Sequence, residues 1–452
     1  MHTGNEREAL QYIDDILRST SGSVCNKLTG ISLCIEIVID QAIPNPDISN
    51  MANTSHLEPA LVAPSFCHPH VHLDKAFLLS HPKYSHLQIE KGTFDEAMDL
   101  TSQAKSNFEE QDLLERGHRL VNESVDAGVT HMRAFVEVDP IVDLTCLKAG
   151  SKIKQSYIRK CHIQLCAFAQ LPLFTGDDGG QSIRRLISVE AMKDTYSTDV
   201  VGSTPYVEAD RSKMEQNVDW LIDLALEHNK HLDFHLDYHL NPDMEPLVWY
   251  VVSTLKEKRW TERSSKTVVL GHCTRLSLYK DEEWRKLKEE IADLPISFVG
   301  LPTSDLYMMK TEQGHRGTLP VPRLIKDYGL NAAIGMNNIG NAFTPHGCCD
   351  PLYLANLGVG LYQAGTVKDA ELLYECVSDR ARQAIGCSSV QKDSRSISKN
   401  DTMDLVVLST KSSTSGQPSW ENLQTTSNAV YLYDGPRKRQ TISSQRDASS
   451  AT

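Results

Sequence analysis

The sequence has no CxxC pair, no run of about 18 apolar residues, no GxGxxG and no phosphate loop. Each lack removes a class of protein. Without CxxC, neither a cysteine zinc cluster nor a dithiol redox pair is supported, and the 11 scattered cysteines suit a reducing, cytoplasmic setting. Cys166 in QLCAFAQ and Cys273 in VVLGHC lie in apolar runs, where a small buried hydrophobe is the expected role. The opening MHTGNEREALQYIDDILRST carries no apolar core of a secretory leader. Basic charge is also short. With 46 Lys and Arg against 59 Asp and Glu, the formal charge of −13 opposes nucleic acid and anionic membrane as partners. The one basic run, Arg437, Lys438 and Arg439, reads as part of a solvated tail. What remains is an ordinary globular composition, 40% hydrophobic and 23% charged over 452 residues.

Between about 64 and 390, short apolar runs alternate with longer amphipathic ones. Eight runs read as strands covered on both faces: Ser65–His72, Val129–Val138, Ile163–Gln170, Val200–Glu208, His231–Asp237, Thr267–Cys273, Ile296–Thr303 and Asn331–Asn338. The intervening segments read as helices. In 111–127, Leu114, His118, Val121 and Val125 share a face and Gly128 can stop the helix. In 211–229, Met214, Val218, Leu221 and Ala225 form a stripe behind an N-cap at Asp210, and 243–258 repeats the pattern from Met244. Eight βα units predict an α/β chain folded as a (β/α)8 TIM barrel, which leaves no exposed sheet edge.

The ends differ. Ile31–Ile39, 404–409 (DLVVLS) and 429–433 (AVYLY) look like strands, and a small flanking β-sandwich built from both termini accounts for them. The expected division is 1–63 and 391–435 for that subdomain, 64–390 for the barrel and 436–452 for a disordered tail. Residues 411–422 read as a polar loop.

The sharpest chemical signal is PHVHLDK at 69–75. His70 and His72 stand two apart on a strand and therefore face one way. At the C-terminal end of an inward-facing strand, such a pair delivers two imidazoles to one metal. His235 ends the fifth strand and His272 the sixth, so four rings converge on the barrel mouth. His68 is a neighbour on the same face. Asp237, two residues beyond His235, extends toward the same site. Its two readings are a catalytic base and a partner holding a histidine tautomer. Asp305 reads as a loop cap before a polar contributor to the site, Lys75 and Asp74 either support the site from behind or pair with each other, and Arg133 either clamps a substrate carboxylate or, the favoured reading, salt-bridges Glu137.

PSFCHPHVHLDKAFL, GVTHMRAFVEV, QLCAFAQ, VVGSTPYVEA, DFHLDYH, VVLGHC and IGMNNIGN follow one another in the order of the cytosine-deaminase branch of the amidohydrolase superfamily, which the chain resembles over roughly 60–390. The resemblance implies a (β/α)8 barrel with one divalent metal, zinc or iron, that hydrolyses C–N bonds in small polar heterocycles. It implies that His70, His72 and His235 ligate the metal, that His272 polarises the substrate and steadies the attacking water, and that Gln170 binds the substrate's amide edge. Asn338 is a second expected substrate contact.

Two positions depart from the family. Its strand-eight aspartate, a ligand and base, is Asn337 here. Its glutamate three residues after the strand-five histidine is Tyr238, which suits a proton donor better than a base. The expected activity is therefore a metal-dependent amidohydrolase acting on a small-molecule substrate. The alternatives are non-hydrolytic carbonyl chemistry (decarboxylation, ring opening or isomerisation) and an inactive barrel serving as a binding partner. A homo-oligomer is left open.

Overall fold

The computed structural model describes residues 60–387, 404–409 and 425–442. The strand expected at Ile31–Ile39 and the loop expected at 411–422 lie outside the described residues.

Strand β1 (Ala60–Pro64) runs, after one residue, into β2 (Phe66–His72). Seven more strands follow in chain order: β3 (Val129–Glu137), β4 (His162–Ala169), β5 (Val200–Ser203), β6 (His231–Leu236), β7 (Val268–His272), β8 (Ile296–Gly300) and β9 (Ala332–Ile334). From β2 to β9 each strand is parallel to the next, and nearly every residue is buried, as a sheet covered on both faces requires. The ring closes through Asn337. Its N–H donates to His70 O at 3.0 Å, and its carbonyl accepts from His72 N–H at 2.8 Å. The fold is the expected TIM barrel.

The outer helices follow local signals. Residues Glu110–Asp126 form one, which ends before Gly128 at φ 93°, the left-handed stop that the sequence supplies. Arg211–Glu227 starts where the Asp210 carboxylate accepts from Lys213 N–H. Val248–Glu257 is shorter than expected, and Met244 lies outside it, 42% exposed. No helix among the described residues is long and apolar enough to cross a membrane.

Beside the barrel, β1, β10 (Leu405–Ser409) and β11 (Gln440–Ile442) form an antiparallel sheet in the order β1-β10-β11. Ala63, Val406 and Leu408 join the barrel's own core. Two expectations are corrected here. The first three residues of the AVYLY run end a helix, Thr426–Tyr431, and none of the run is a strand. A five-residue apolar run carries no period of its own, and the Thr425 side chain caps Asn428 N–H, which starts a helix. Arg439 is not in a solvated tail. Its guanidinium grips Asp350 with two bonds of 2.7 Å, and both side chains are buried. Residues 440–442 continue from that clamp as the third strand.

Arg133 is a third correction. Its ion pair is with Asp233 at 2.8 Å, across the barrel interior. Glu137 is four residues along the same extended strand, about 13 Å away at 3.3 Å per residue, and out of reach.

Candidate active site

At the strands' C-terminal ends, His70, His72 and His235 meet. His235 Nε2 lies 3.0 Å from the Nε2 of His70 and 3.0 Å from that of His72. All three rings are buried, and burial holds each well below the ordinary imidazole pKa, leaving neutral rings with lone pairs to offer. His70 Nδ1 faces the buried Asp233 carboxylate at 3.9 Å, and the Nδ1 atoms of His72 and His235 have no hydrogen-bond partner. Two nitrogens bound tetrahedrally to one ion at about 2.0–2.1 Å stand about 3.3 Å apart. The triad fits a metal ion. Asn337 Oδ1, also buried without a partner, belongs to a residue that lines the same pocket.

His68 is turned away and bonds Cys349 O at 3.2 Å. The register shifts between His68 and Val71, so simple alternation from His70 does not reach it.

His272 is the fourth ring, its centroid 5.1 Å from that of His235. Its Nδ1 bonds Asp305 Oδ1 at 2.8 Å. Asp305 Oδ2 accepts from Thr318 Oγ1–H at 2.6 Å and from Leu301 N–H at 3.3 Å. Asp305 is thus more than a loop cap. It is fully buried, which raises its carboxyl against the pull of His272. The Tyr238 ring lies over His272, with centroids 3.9 Å apart.

Asp237 does not serve as expected. Its two carboxylate oxygens accept from Leu247 N–H at 2.7 Å and Val248 N–H at 3.1 Å, which caps the following helix. The strand ends at Leu236, and Asp237 has φ 47°, so two-residue alternation no longer gives its direction. It does not line the pocket.

The pocket, whose empty space of about 290 Å³ runs out into open solvent, is lined by His72, His235, His272, Gln170, Asn337 and Asn338. Phe94, Tyr206, Tyr238, Phe343 and Lys75 complete the lining. Lys75 does not pair with Asp74. Its Nζ donates to Gln170 Oε1 at 3.0 Å and forms an ion pair with Glu137 Oε1 at 2.5 Å, while Lys105 bridges Glu137 and Asp139. Asp74 instead accepts from Glu137 N–H at 2.7 Å. The sequence reading did not single out Phe94, Tyr206 or Phe343. They come from segments after three different strands, where no period marks an inward residue.

No family model matches the chain. A curated relative, the N-isopropylammelide isopropyl amidohydrolase of Pseudomonas sp. (strain ADP), is 22% identical over 363 residues, covering 80% of this chain and 81% of its own. The structure of 5-methylcytosine deaminase from Klebsiella pneumoniae liganded with 5-fluorocytosine superposes with TM-score 0.62 and 23% identity, covering 72% of this chain and 75% of that one. N-isopropylammelide isopropylaminohydrolase from Burkholderia multivorans superposes with TM-score 0.63 and 19% identity over 85% of each chain. The superpositions show the shared barrel, and the sequence relative is an amidohydrolase by name.

Proposed function

We propose that the chain is a metal-dependent amidohydrolase that cleaves a C–N bond in a small nitrogen heterocycle. One divalent ion, zinc or iron, is held by His70, His72 and His235, with the Asn337 carbonyl as a neutral fourth contact. The observation that carries this reading is the convergence of the Nε2 atoms of three buried neutral imidazoles beside a pocket that Gln170, Asn337 and Asn338 also line. The sequence relative and the structural neighbours are named as amidohydrolases and deaminases of such heterocycles. When bound, the ion supplies Lewis-acid activation of water and of the electrophilic carbon.

The chain's own residues do the rest. Asp305 accepts from His272 Nδ1, which leaves His272 Nε2 as the proton-accepting pole. Tyr238 supplies a donor beside it. Gln170 and Asn338 orient the ring, and Phe94 and Phe343 exclude water. The barrel, 66–387 among the described residues, carries the chemistry, with Ala60–Pro64, Leu405–Ser409 and Gln440–Ile442 as its flanking sheet, in a cytoplasmic setting.

A second reading is favoured by one observation: among the described residues no Asp or Glu lines the pocket. A site without a carboxylate base suits carbonyl chemistry short of hydrolysis, such as decarboxylation or ring opening. Elemental analysis, with turnover measured before and after chelation and restoration, tests both. Release of ammonia or an amine supports hydrolysis. Metal-dependent turnover without it supports the second reading, and a metal-free protein would sink both.

A further inference from the structure

Hydrogen-bond accounting inside the pocket decides which end of each amide faces a ligand. Lys75 Nζ has only protons to give and lies 3.0 Å from Gln170 Oε1. That oxygen is engaged, and the side chain also meets the Tyr206 hydroxyl, so of the two N–H groups on Gln170 Nε2 one is left for a ligand. Asn341 Oδ1 accepts the backbone N–H groups of Phe343 and Thr344 at 3.0 and 3.1 Å. Its Nδ2 must point the other way, and it donates to Asn338 Oδ1 at 2.8 Å and to Lys75 O at 3.2 Å. Asn338 is thereby turned to leave Nδ2 free. Two backbone amides and one ammonium thus fix both side chains as donors.

Three carboxylates around the pocket are directed elsewhere, and Asp233 faces the far side of the His70 ring at 3.9 Å. Glu137 accepts from Lys75 and Lys105, Asp305 from His272 and Thr318, and Asp237 from two backbone amides. None of them lines the pocket, whereas Lys75 does.

We infer that the site recognises its substrate by an anionic, acceptor-only oxygen edge, held by Lys75 Nζ, Gln170 Nε2 and Asn338 Nδ2. The edge is a deprotonated oxo group of the ring or an exocyclic carboxylate. A neutral ring that turned an N–H toward these groups would set donor against donor in a buried place and bind about tenfold to a hundredfold more weakly. The inference deepens the hydrolase reading and rests on it for the heterocycle.

Titration calorimetry on the metal-loaded full chain tests it, with barbiturate, orotate and cytosine as probes of equal ring size. We expect barbiturate or orotate to bind at least tenfold more tightly than cytosine. Barbiturate in the lead assigns the ring oxyanion, orotate the carboxylate. Asn338→Asp and Gln170→Glu each replace a donor with a negative charge and should abolish the preference. Cytosine binding as tightly as both anions, or an anion preference that survives both substitutions, would overturn the inference. Because binding is read without turnover, a chain that prefers the anions but releases no ammonia or amine keeps this inference and loses the hydrolase reading.

Discussion

His272 Nδ1 and Asp305 Oδ1 lie 2.8 Å apart, one at the end of β7 and the other on the helix Pro302–Met308 that follows β8. The bond joins two βα units at the pocket and fixes which ring nitrogen of His272 is free. The other oxygen of Asp305 is held by Thr318 and Leu301, both donors. In Asp305→Asn the amide oxygen should therefore stay with those donors and the NH₂ should face His272, forcing the opposite tautomer. Turnover should fall about 10–100-fold with metal content unchanged. Steady-state kinetics beside elemental analysis would show it, and full activity would end the role given to His272.

Asn337→Asp should convert the neutral contact into a charged ligand and a base. The residue sits at φ 64°, a conformation that Asp tolerates as Asn does, so barrel closure through its backbone should persist. Native protein should deaminate cytosine slowly or not at all, and the variant should gain about 10²–10⁴-fold. Rapid deamination by the native protein would contradict the assignment of Asn337.

Gly271 leaves room for a ligand. A Cβ there would stand 3.0 Å from His70 Cε1 and 3.2 Å from its Nδ1. Gly271→Ala should push the ring off its position and weaken metal retention about 10–100-fold, as lost orientation typically does. Competition with a chelator measures this, and a melting temperature close to native would show that the barrel still folds.

The Arg439–Asp350 clamp makes a prediction remote from the chemistry. Arg439→Ala leaves a buried carboxylate without its bidentate partner and should cost about 3–5 kcal/mol of stability. Asp350 also caps the helix Pro351–Leu361, so the damage should spread there. Denaturant unfolding gives the number, and metal affinity in the folded variant should stay native.

Much of this was legible in the residues. Eight apolar runs gave eight strands because a parallel barrel strand must be apolar on both faces, a signal that needs no neighbour to read. His70 and His72 faced one way because a strand has a period of two. AVYLY failed because five apolar residues fit either period, and its helix is set by packing and by Thr425. The partners of Arg133, Lys75 and Arg439 were not legible, since each lies on another segment and side-chain type alone does not choose among several carboxylates.

The sequence by itself determined the barrel, the strand ends and the histidines that meet there. Tertiary structure decided what surrounds them: Asp237 spent on a helix N-terminus, Asp305 on His272, Lys75 on Gln170, and the amides of Gln170 and Asn338 turned to donate. The reason is local and physical. Asp237, His272 and Asn337 have φ of 47°, 65° and 64°, so the strand period stops at the pocket, and from there each side chain's direction is set by the partners that other segments bring to it.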